Sequence, residues 1–140
     1  MTYREAKETD LDLLTAWNHQ LIADEGADNP MAFTELRERI SDWLNSAVLQ
    51  AIVFSIDDED IAYALFQETD DAIHLRQFFV ARDHRRKGHG RAAMQILKTE
   101  VWPANKPLTV GVLTQNTDAY TFWREMGYEA TIIKMEIPRS

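Results

Sequence analysis

The sequence predicts an α/β (α+β) domain in which helices flank a largely antiparallel sheet. Three runs rich in β-branched and aromatic residues, 48–56, 61–67 and 73–80, are separated by two short polar turns. Strands joined by such short turns form an antiparallel meander. Helically spaced apolar residues occur on both sides of this meander, before residue 45 and after residue 90.

Composition narrows the class of protein. The 140 residues are 45% hydrophobic, with four Trp and six Phe, so we expect one domain with one buried core over 1–140. No apolar run approaches 18 residues and the first residues form no signal peptide, which predicts no membrane partner and a cytoplasmic location. The absence of Cys excludes disulfides, thiolate metal sites and a cysteine nucleophile. The net charge of −8 argues against general nucleic-acid binding.

The first part of the chain predicts a short strand at 2–7 and then two helices. Thr9 begins the first helix, in which apolar residues recur at helical spacing. Residues 24–30 contain Gly, Pro and acidic residues, which predicts a loop. Thr34 is placed to cap the second helix.

The second part predicts four more elements in alternation: a helix at 91–102, a strand at 107–114, a helix at 116–126 and a strand at 128–137. Gly111 inside a strand indicates a bulge, or a close approach of another backbone or a ligand. Gly127 is well placed to end the helix before it.

The segment 78–93 carries the strongest sign of function. A buried strand ends in a basic turn, and Gly88 and Gly90 lie where the next helix begins. Without side chains there, the N–H groups at a helix N-terminus can approach a ligand and direct partial positive charge at it. Four cations occupy the same region: Arg85, Arg86, Lys87 and Arg91. Such a site favours phosphate groups.

Two other interpretations of this segment stay open. The run 88–93 also fits the dinucleotide fingerprint Gly-x-Gly-x-x-Gly/Ala. That fingerprint normally follows its strand directly and expects an acidic residue about 20 positions later, where this chain has the apolar run 110–113. The other interpretation is a solvated basic turn without a ligand, which leaves the placement of the glycines unexplained.

Two motifs resemble those of the GNAT N-acetyltransferases. The run 85–90, Arg-Arg-Lys-Gly-His-Gly, is similar to the family's acetyl-CoA motif Gln/Arg-x-x-Gly-x-Gly/Ala. The run 116–128, Asn-x-x-Ala-x-x-Phe-Trp-x-x-x-Gly-Tyr, resembles its later Asn-x-x-Ala-x-x-Phe-Tyr-x-x-x-Gly-Phe signature. The predicted order β-α-α-β-β-β-α-β-α-β is also the GNAT order. The resemblance therefore implies the acyl-CoA N-acyltransferase fold, a central mixed, mostly antiparallel sheet flanked by helices.

The resemblance also implies acetyl-CoA as cosubstrate. In the family, amides of the turn hold the CoA pyrophosphate, and the end of the preceding strand bonds the pantetheine arm. The positions implied for acetyl-CoA are Phe78, Phe79, Val80, Arg85, Arg86, Lys87, Gly88, His89, Gly90, Arg91, Ala92, Asn116 and Trp123. No metal is expected, because the four histidines lack metal-ligand spacing.

Acetyl transfer to an amine needs a stabilised oxyanion and a route for protons. The resemblance implies that the backbone N–H of Phe79 or Val80 stabilises the oxyanion. The family's usual general acid, a Tyr, is replaced by Trp123, whose indole cannot deliver a proton usefully. Tyr120, one helical turn earlier, is a substitute candidate, with core packing as its alternative. A thiol with a pKa near about 8.5 can also leave without an acid.

His74 and Glu25 are the candidate general bases. His74 stands where some family members carry a Glu, and histidine is the side chain most often used to accept a proton near neutral pH; a packed or surface role is the alternative. Asp24 and Glu25 lie in the loop that borders the acceptor site in this fold, where carboxylates can hold or deprotonate an amine. An ordinary solvated acidic loop is the alternative for both.

The sequence thus predicts an acetyl-CoA-dependent N-acetyltransferase that acts on a primary amine of a small molecule or peptide through a ternary complex. Small amines, polyamines, aminoglycosides, amino acids and protein N-termini all stay open as acceptors. Homodimers are common in the family, and a homodimer is an open expectation. The alternative function is an acetyl-CoA-binding sensor or scaffold with weakened catalysis, which Trp123 keeps open.

Overall fold

The computed structural model describes residues 1–25 and 31–139, which form a five-stranded sheet with a pair of helices on each face. The strands lie side by side in chain order: β1 (Thr2–Glu5), β2 (Leu49–Ile56), β3 (Glu59–Glu68), β4 (Ile73–Val80) and β5 (Leu108–Val110). The helices are α1 (Leu11–Asp24), α2 (Phe33–Leu44), α3 (His89–Ile96, continued by a π-helical turn at Leu97–Val101) and α4 (Thr117–Glu125). No helix within these ranges is long and apolar enough to cross a membrane.

The predicted antiparallel meander is confirmed. β1 to β4 pair in antiparallel fashion and β5 joins β4 in parallel, so the sheet is mixed. Alternate residues of a strand face opposite sides, and each side of the sheet buries its own core. The core under α1 and α2 contains Leu14, Trp17, Ile40, Val53, Tyr63, Leu65 and Phe79. The core under α3 and α4 includes Phe54, Ala64, Phe66, Leu75, Met94, Leu97, Trp102 and Trp123.

A β-bulge in β4 opens the sheet between β4 and β5. Consecutive residues of β3 face Gln77 and Leu75, so Arg76 is an extra residue with none opposite it. The parallel ladder with β5 ends at Leu75. Because a bulge bends its strand and increases the local twist, the end of β4 diverges from β5. Residues 77–80 are paired with β3 alone.

The start of α2 differs from the prediction. The helix begins at Phe33, and Ala32, with extended backbone, occupies the N-cap position. The prediction that Thr34 caps this helix is therefore wrong, because Thr34 lies inside the first turn. Asp24, predicted to lie in the loop, is the last residue of α1. The rest of that predicted loop, at 26–30, lies outside the described residues.

α4 ends at Gly127 as predicted, and Asn116, predicted as the first residue of the helix, is its N-cap. The side chain of Asn116 accepts a hydrogen bond from the N–H of Ala119 at 3.1 Å, as an N-cap residue does. Gly127 has a φ of 102°, the left-handed conformation that ends a helix. The N–H of Tyr128 donates to the carbonyl of Trp123 at 3.0 Å, which completes a Schellman motif.

The predicted last strand, 128–137, is wrong for this structure. Residues 129–139 belong to no strand. An alternating sequence becomes a strand only where a sheet edge pairs with it, and this segment pairs with no edge in the described part of the chain. β5 is likewise shorter than the predicted 107–114, because β4 diverges from it after the bulge.

Candidate active site

The turn between β4 and α3 presents the amides at the start of α3 to solvent. Gly88 is the N-cap residue, with a φ of 80°, and Arg86 also has a positive φ of 63°. Gly88 adopts this conformation without steric cost because it lacks a Cβ. The first N–H groups of a helix have no intrahelical partner and carry partial positive charge. This end of α3 can therefore bind an anion.

Arg85 is turned away from α3. Its Nε donates to the carbonyl of Val80 at 2.8 Å, and a terminal nitrogen donates to Asp24 at 2.8 Å. The guanidinium carbon also lies 5.0 Å from the centre of the Phe79 ring. Arg85 therefore links the end of β4 to the end of α1.

The other three cations remain near the start of α3. Arg86 and Lys87 are exposed, and neither forms an ion pair with any described residue. Arg91 contacts Glu125 of α4 at 3.3 Å, with more than half of each side chain exposed. Ala92 is exposed and the ring of His89 is half-buried. Arg86 and Lys87 are thus the cations most available to an incoming phosphate.

Gly88 and Gly90, predicted together for close ligand approach, have different surroundings. A Cβ on Gly88 would meet no atom within 4 Å. A Cβ on Gly90 would lie 3.4 Å from the ring of Phe122 and 3.7 Å from that of Phe78. Gly90 therefore lets α3 begin close against α4 and β4, while Gly88 supplies the turn.

The open edge of β4 provides hydrogen-bonding groups beside this turn. Ala81 donates to the carbonyl of Ile61 in β3 at 2.7 Å. In an antiparallel pair, successive residues alternate between bonding the partner strand and pointing away from it. Phe78 and Val80 therefore direct their N–H and C=O groups to the open side, whereas those of Phe79 face β3. Of the two amides expected to stabilise the oxyanion, the alternation favours Val80.

A buried polar cluster joins α1 to β3 and β4 on the other face of the sheet. Asn18 donates to Gln77 at 2.8 Å and to the hydroxyl of Tyr63 at 3.3 Å, and that hydroxyl donates to Gln77 at 2.8 Å. The Tyr63 ring stacks on Trp17 with centroids 6.0 Å apart. Sequence reasoning missed this cluster. Its signal was a polar side chain on the apolar face of a helix, Asn18, and another within an apolar strand, Gln77.

Glu25 and Asp24 differ in their electrostatic surroundings. Burial and the neighbouring charge of Asp24 raise the pKa of Glu25. Burial also acts to raise the pKa of Asp24, but hydrogen bonds from Arg85 and Arg82 outweigh it and hold that pKa below its ordinary value. Asp24 is therefore engaged by two arginines, while Glu25 is the carboxylate with a raised affinity for a proton.

Two arginines flank Trp43 on the same side of the sheet. The guanidinium of Arg39 lies 4.5 Å from the Trp43 ring centre and that of Arg76, the bulge residue, lies 5.8 Å from it. Burial and the charge of Arg76 lower the pKa of Arg39. The sequence did not suggest this grouping, because the two residues are far apart along the chain.

The remaining candidates lie in three different places. The His74 ring is exposed and hydrogen-bonds Thr109 at 2.9 Å, where β4 and β5 are still paired. Tyr120 is 49% exposed on α4. Trp123 is buried against Phe78, with ring centroids 5.7 Å apart. The structure thus brings the β4 edge, the start of α3 and Trp123 together, with Glu25 on the opposite face of the sheet.

This arrangement suits the binding of an extended chain that ends in phosphates. The open β4 edge offers peptide-like hydrogen bonds, and α3 offers amides and cations for anionic groups.

Known proteins share this fold. A family model described as the acetyltransferase (GNAT) family matches residues 13–128. A possible acetyltransferase from Clostridium difficile 630 is 19% identical with a TM-score of 0.81, the match covering 99% of this chain and 97% of that one. An apo aminoglycoside 6′-N-acetyltransferase from Acinetobacter haemolyticus is 16% identical with a TM-score of 0.74, covering 100% and 99%.

A predicted acetyltransferase from Clostridium acetobutylicum, crystallised with acetyl-CoA, is 17% identical with a TM-score of 0.73, covering 98% of this chain and 95% of that one. At these identities the solved structures establish the shared fold alone. No curated protein matches the sequence. The family model covers most of the chain and confirms the resemblance read from its motifs. The chain belongs to the GNAT acetyltransferase family.

Proposed function

We propose that the protein transfers an acetyl group from acetyl-CoA to a primary amine, by direct attack of the amine within a ternary complex. The observation that carries the proposal is the open edge of β4 beside the start of α3. Residues 77–80 offer backbone hydrogen bonds to an extended donor, and the turn at Gly88 offers the amides of a helix N-terminus to its phosphates.

The donor would lie along the open edge of β4. The N–H and C=O groups of Phe78 and the N–H of Val80 would bond its amide-containing arm, and the α3 amides with Arg86 and Lys87 would bind its phosphates. An N–H of the open β4 edge would donate to the oxyanion that forms as the amine attacks. Holding both reactants in place can lower the barrier by about 7–11 kcal/mol.

The acceptor would approach from the face that carries α1 and α2. Glu25 lies there with a raised pKa, and an incoming ammonium would meet its carboxylate. The carboxylate can take one proton from the ammonium, which gives the neutral amine that attacks. As the amine nitrogen bonds the acetyl carbon and the C–S bond breaks, CoA leaves as the thiolate, and the second proton of the nitrogen passes to solvent. His74 is the second candidate base, because its exposed ring lies on β4 three residues before Gln77.

The thiol leaves without a dedicated acid in this proposal. Trp123, at the position of the family's Tyr, is buried and bears only an indole N–H. Tyr120 is half-exposed on α4, and no described residue hydrogen-bonds its hydroxyl. Losing acid catalysis slows a reaction by about 10²–10⁴-fold without abolishing it.

The test is release of CoA thiol from acetyl-CoA in the presence of a panel of amines: an aminoglycoside, a polyamine, free amino acids and peptide N-termini. Glu25→Gln should raise the acceptor KM more than it changes acetyl-CoA affinity. Glu35→Gln, an exposed carboxylate at the start of α2, is the matched control and should change neither. Equal kinetics for the Glu25 variant and the control across good acceptors would remove Glu25 from the site.

A sensor or scaffold role is the second candidate, and the buried Trp123 favours it. The same assay separates the two functions. Turnover with any amine supports the enzyme, whereas tight acetyl-CoA binding without turnover across the panel supports the sensor.

A further inference from the structure

The bulge in β4 places two consecutive side chains on the face that carries α1 and α2. In a regular strand, neighbouring side chains point to opposite faces. Here the guanidinium of Arg76 lies over the ring of Trp43 in α2. The side chain of the next residue, Gln77, accepts a hydrogen bond from Asn18 in α1. The bulge therefore adds a cation to the face from which the acceptor would approach in the proposed enzyme.

Arg39 brings a second cation to the same place. It lies on α2, one turn before Trp43, and its guanidinium carbon is 4.5 Å from the centre of that ring. Neither Arg39 nor Arg76 forms an ion pair with a described carboxylate, although the chain has a net charge of −8. Burial and the charge of Arg76 lower the pKa of Arg39. An anion bound to both guanidinium groups would remove this repulsion.

The guanidinium of Arg39 also has an unsatisfied donor. Its Nε is buried, and no described residue accepts a hydrogen bond from it. A buried donor without a partner is costly, and more so when the group is charged. The N–H groups of a guanidinium form a fixed fork that matches the two oxygens of a carboxylate. Because Arg39 is half-buried and Arg76 is exposed, a ligand can reach the pair from solvent.

The carboxylate of Glu25 lies close to the same site. Burial raises the pKa of Tyr63, and a hydrogen bond from Asn18 lowers it. The charge of Glu25 also raises this pKa and the charge of Arg39 lowers it, so both charges are near enough to act on the Tyr63 hydroxyl. No described residue forms an ion pair with Glu25. This face therefore carries a carboxylate that suits an ammonium and two guanidinium groups that suit an anion.

We propose that Arg39 and Arg76 bind a carboxylate on the acceptor, so that the acceptor class is amines that also carry a carboxylate, with amino acids as the simplest members. This proposal rests on the proposed function and narrows its acceptor. The ammonium of the acceptor would meet Glu25, and its carboxylate would bind the two guanidinium groups. A pocket lined mainly by apolar side chains, Trp43 among them, would cover the carbon chain between the two charged ends.

The test compares each amino acid with the amino alcohol of the same carbon chain, which keeps the amine and removes the carboxylate. Glycine, γ-aminobutyrate, ε-aminocaproate and leucine are paired with ethanolamine, aminobutanol, aminohexanol and leucinol, and release of CoA thiol gives kcat/KM. In at least one pair the amino acid should exceed its alcohol by about tenfold or more, because hydrogen bonds between charged groups are strong. Equal values in every pair, or a preference for O-phosphoethanolamine over every amino acid, would overturn the proposal.

Variants of the two arginines separate recognition from a structural role. Arg39→Gln and Arg76→Gln should each lower the ratio of kcat/KM between amino acid and amino alcohol by about tenfold. A structural role alone would lower both members of a pair together and leave their ratio unchanged. Arg37→Gln is the matched control, because Arg37 is an exposed residue of the same helix that contacts Asp12 at 2.9 Å, and it should keep the wild-type ratio. Wild-type ratios in both Arg39→Gln and Arg76→Gln would contradict the proposal.

A binding measurement distinguishes failure of this proposal from failure of the proposed function. Should no amine in either set be acetylated, the proposed function fails, and calorimetric titration with the N-acetyl form of each amino acid, in the presence of CoA, then tests the arginine pair by itself. Binding that Arg39→Gln weakens by about tenfold would support the carboxylate site without the enzyme. Absence of binding, or equal binding by wild type and Arg39→Gln, would overturn it.

Discussion

Arg85 donates to the carbonyl oxygen of Val80 at 2.8 Å while the same guanidinium contacts Asp24 at 2.8 Å. One side chain thus connects the end of β4, the turn before α3 and the end of α1. In the proposed enzyme, the end of β4 and the turn before α3 would hold the donor, and the end of α1 would face the acceptor. Arg85 is therefore better described as a residue that positions the turn than as a direct phosphate ligand.

Arg85→Ala should lower the free energy of unfolding by about 1–2 kcal/mol, because it removes the charged group that donates hydrogen bonds to Val80 and Asp24. The measurement is urea denaturation. Arg37→Ala removes one exposed contact to Asp12 at 2.9 Å and should cost less than about 1 kcal/mol. Equal losses in the two variants would show that Arg85 does not hold the turn.

Gly88→Ala should cost about 1–2 kcal/mol of stability, because alanine is strained at a φ of 80°. No atom lies within 4 Å of the new Cβ, so conformation alone sets this cost. Gly111→Ala provides a matched comparison. Its Cβ also meets nothing within 4 Å and its φ is not in the left-handed region, so its cost should be near zero. A neutral Gly88→Ala would mean that the turn relaxes to another conformation.

Asp10 accepts two hydrogen bonds from Arg4, at 2.7 and 2.8 Å, and one from the N–H of Lys7 at 2.7 Å. Asp10→Asn should destabilise the protein by about 1–3 kcal/mol at neutral pH. The hydrogen bonds from Arg4 lower the pKa of Asp10 below its ordinary 3.8 despite burial. The stability that the ionised Asp10 side chain contributes is therefore present above pH 3.8 and is lost as the pH falls through the lowered pKa. Urea denaturation of both proteins as a function of pH should show their difference shrinking in acid. A constant difference would contradict this account.

Glu25→Gln should stabilise the protein at neutral pH, by less than about 1 kcal/mol because the side chain is only partly buried. Burial raises the pKa of Glu25 above 4.5, so the native state favours its protonated form. The contribution of this carboxyl to stability is present below pH 4.5 and is lost as the pH rises through the raised pKa. Unfolding midpoints measured from pH 4 to pH 8 should therefore show the stability of the Gln variant, relative to wild type, increasing as the pH rises. A variant less stable than wild type at pH 8 would show that a cation holds Glu25.

Tyr120→Phe should retain activity within about tenfold, because the exposed hydroxyl is not required to protonate the leaving thiol. The measurement is kcat with a good acceptor, with Tyr3→Phe on β1 as control. A loss of about 10²-fold or more, with acetyl-CoA binding unchanged, would identify Tyr120 as the general acid.

The sheet was predictable because its determinants are local. The strand at 73–80 follows from apolar patterning, and the helix end at Gly127 follows from turn chemistry within a few residues. The prediction of a strand at 128–137 was wrong because it used local information alone. Alternation describes one face of a segment and does not supply the edge that must pair with it.

The candidate site was predictable only in part. The basic turn and the two glycines marked the start of α3, but no local pattern indicates that Arg85 folds back to Val80 or that Arg39 and Arg76 meet at Trp43. These contacts join residues that are distant along the chain, or depend on rotamers, so they require the folded structure. The bulge at Arg76, which opens β4, was equally invisible, since an extra residue in one strand is defined only by its partner.

Calorimetric titration with acetyl-CoA tests the proposed donor site directly. We predict micromolar binding, no binding of NADH, and a loss of about ten- to hundredfold in affinity when Arg86 and Lys87 are both replaced by Ala. Replacing Arg37 and Arg124 by Ala removes the same charge elsewhere and should leave the affinity unchanged. Absence of acetyl-CoA binding, or an equal loss in both double variants, would contradict the assignment of the β4 edge and the start of α3 as the donor site.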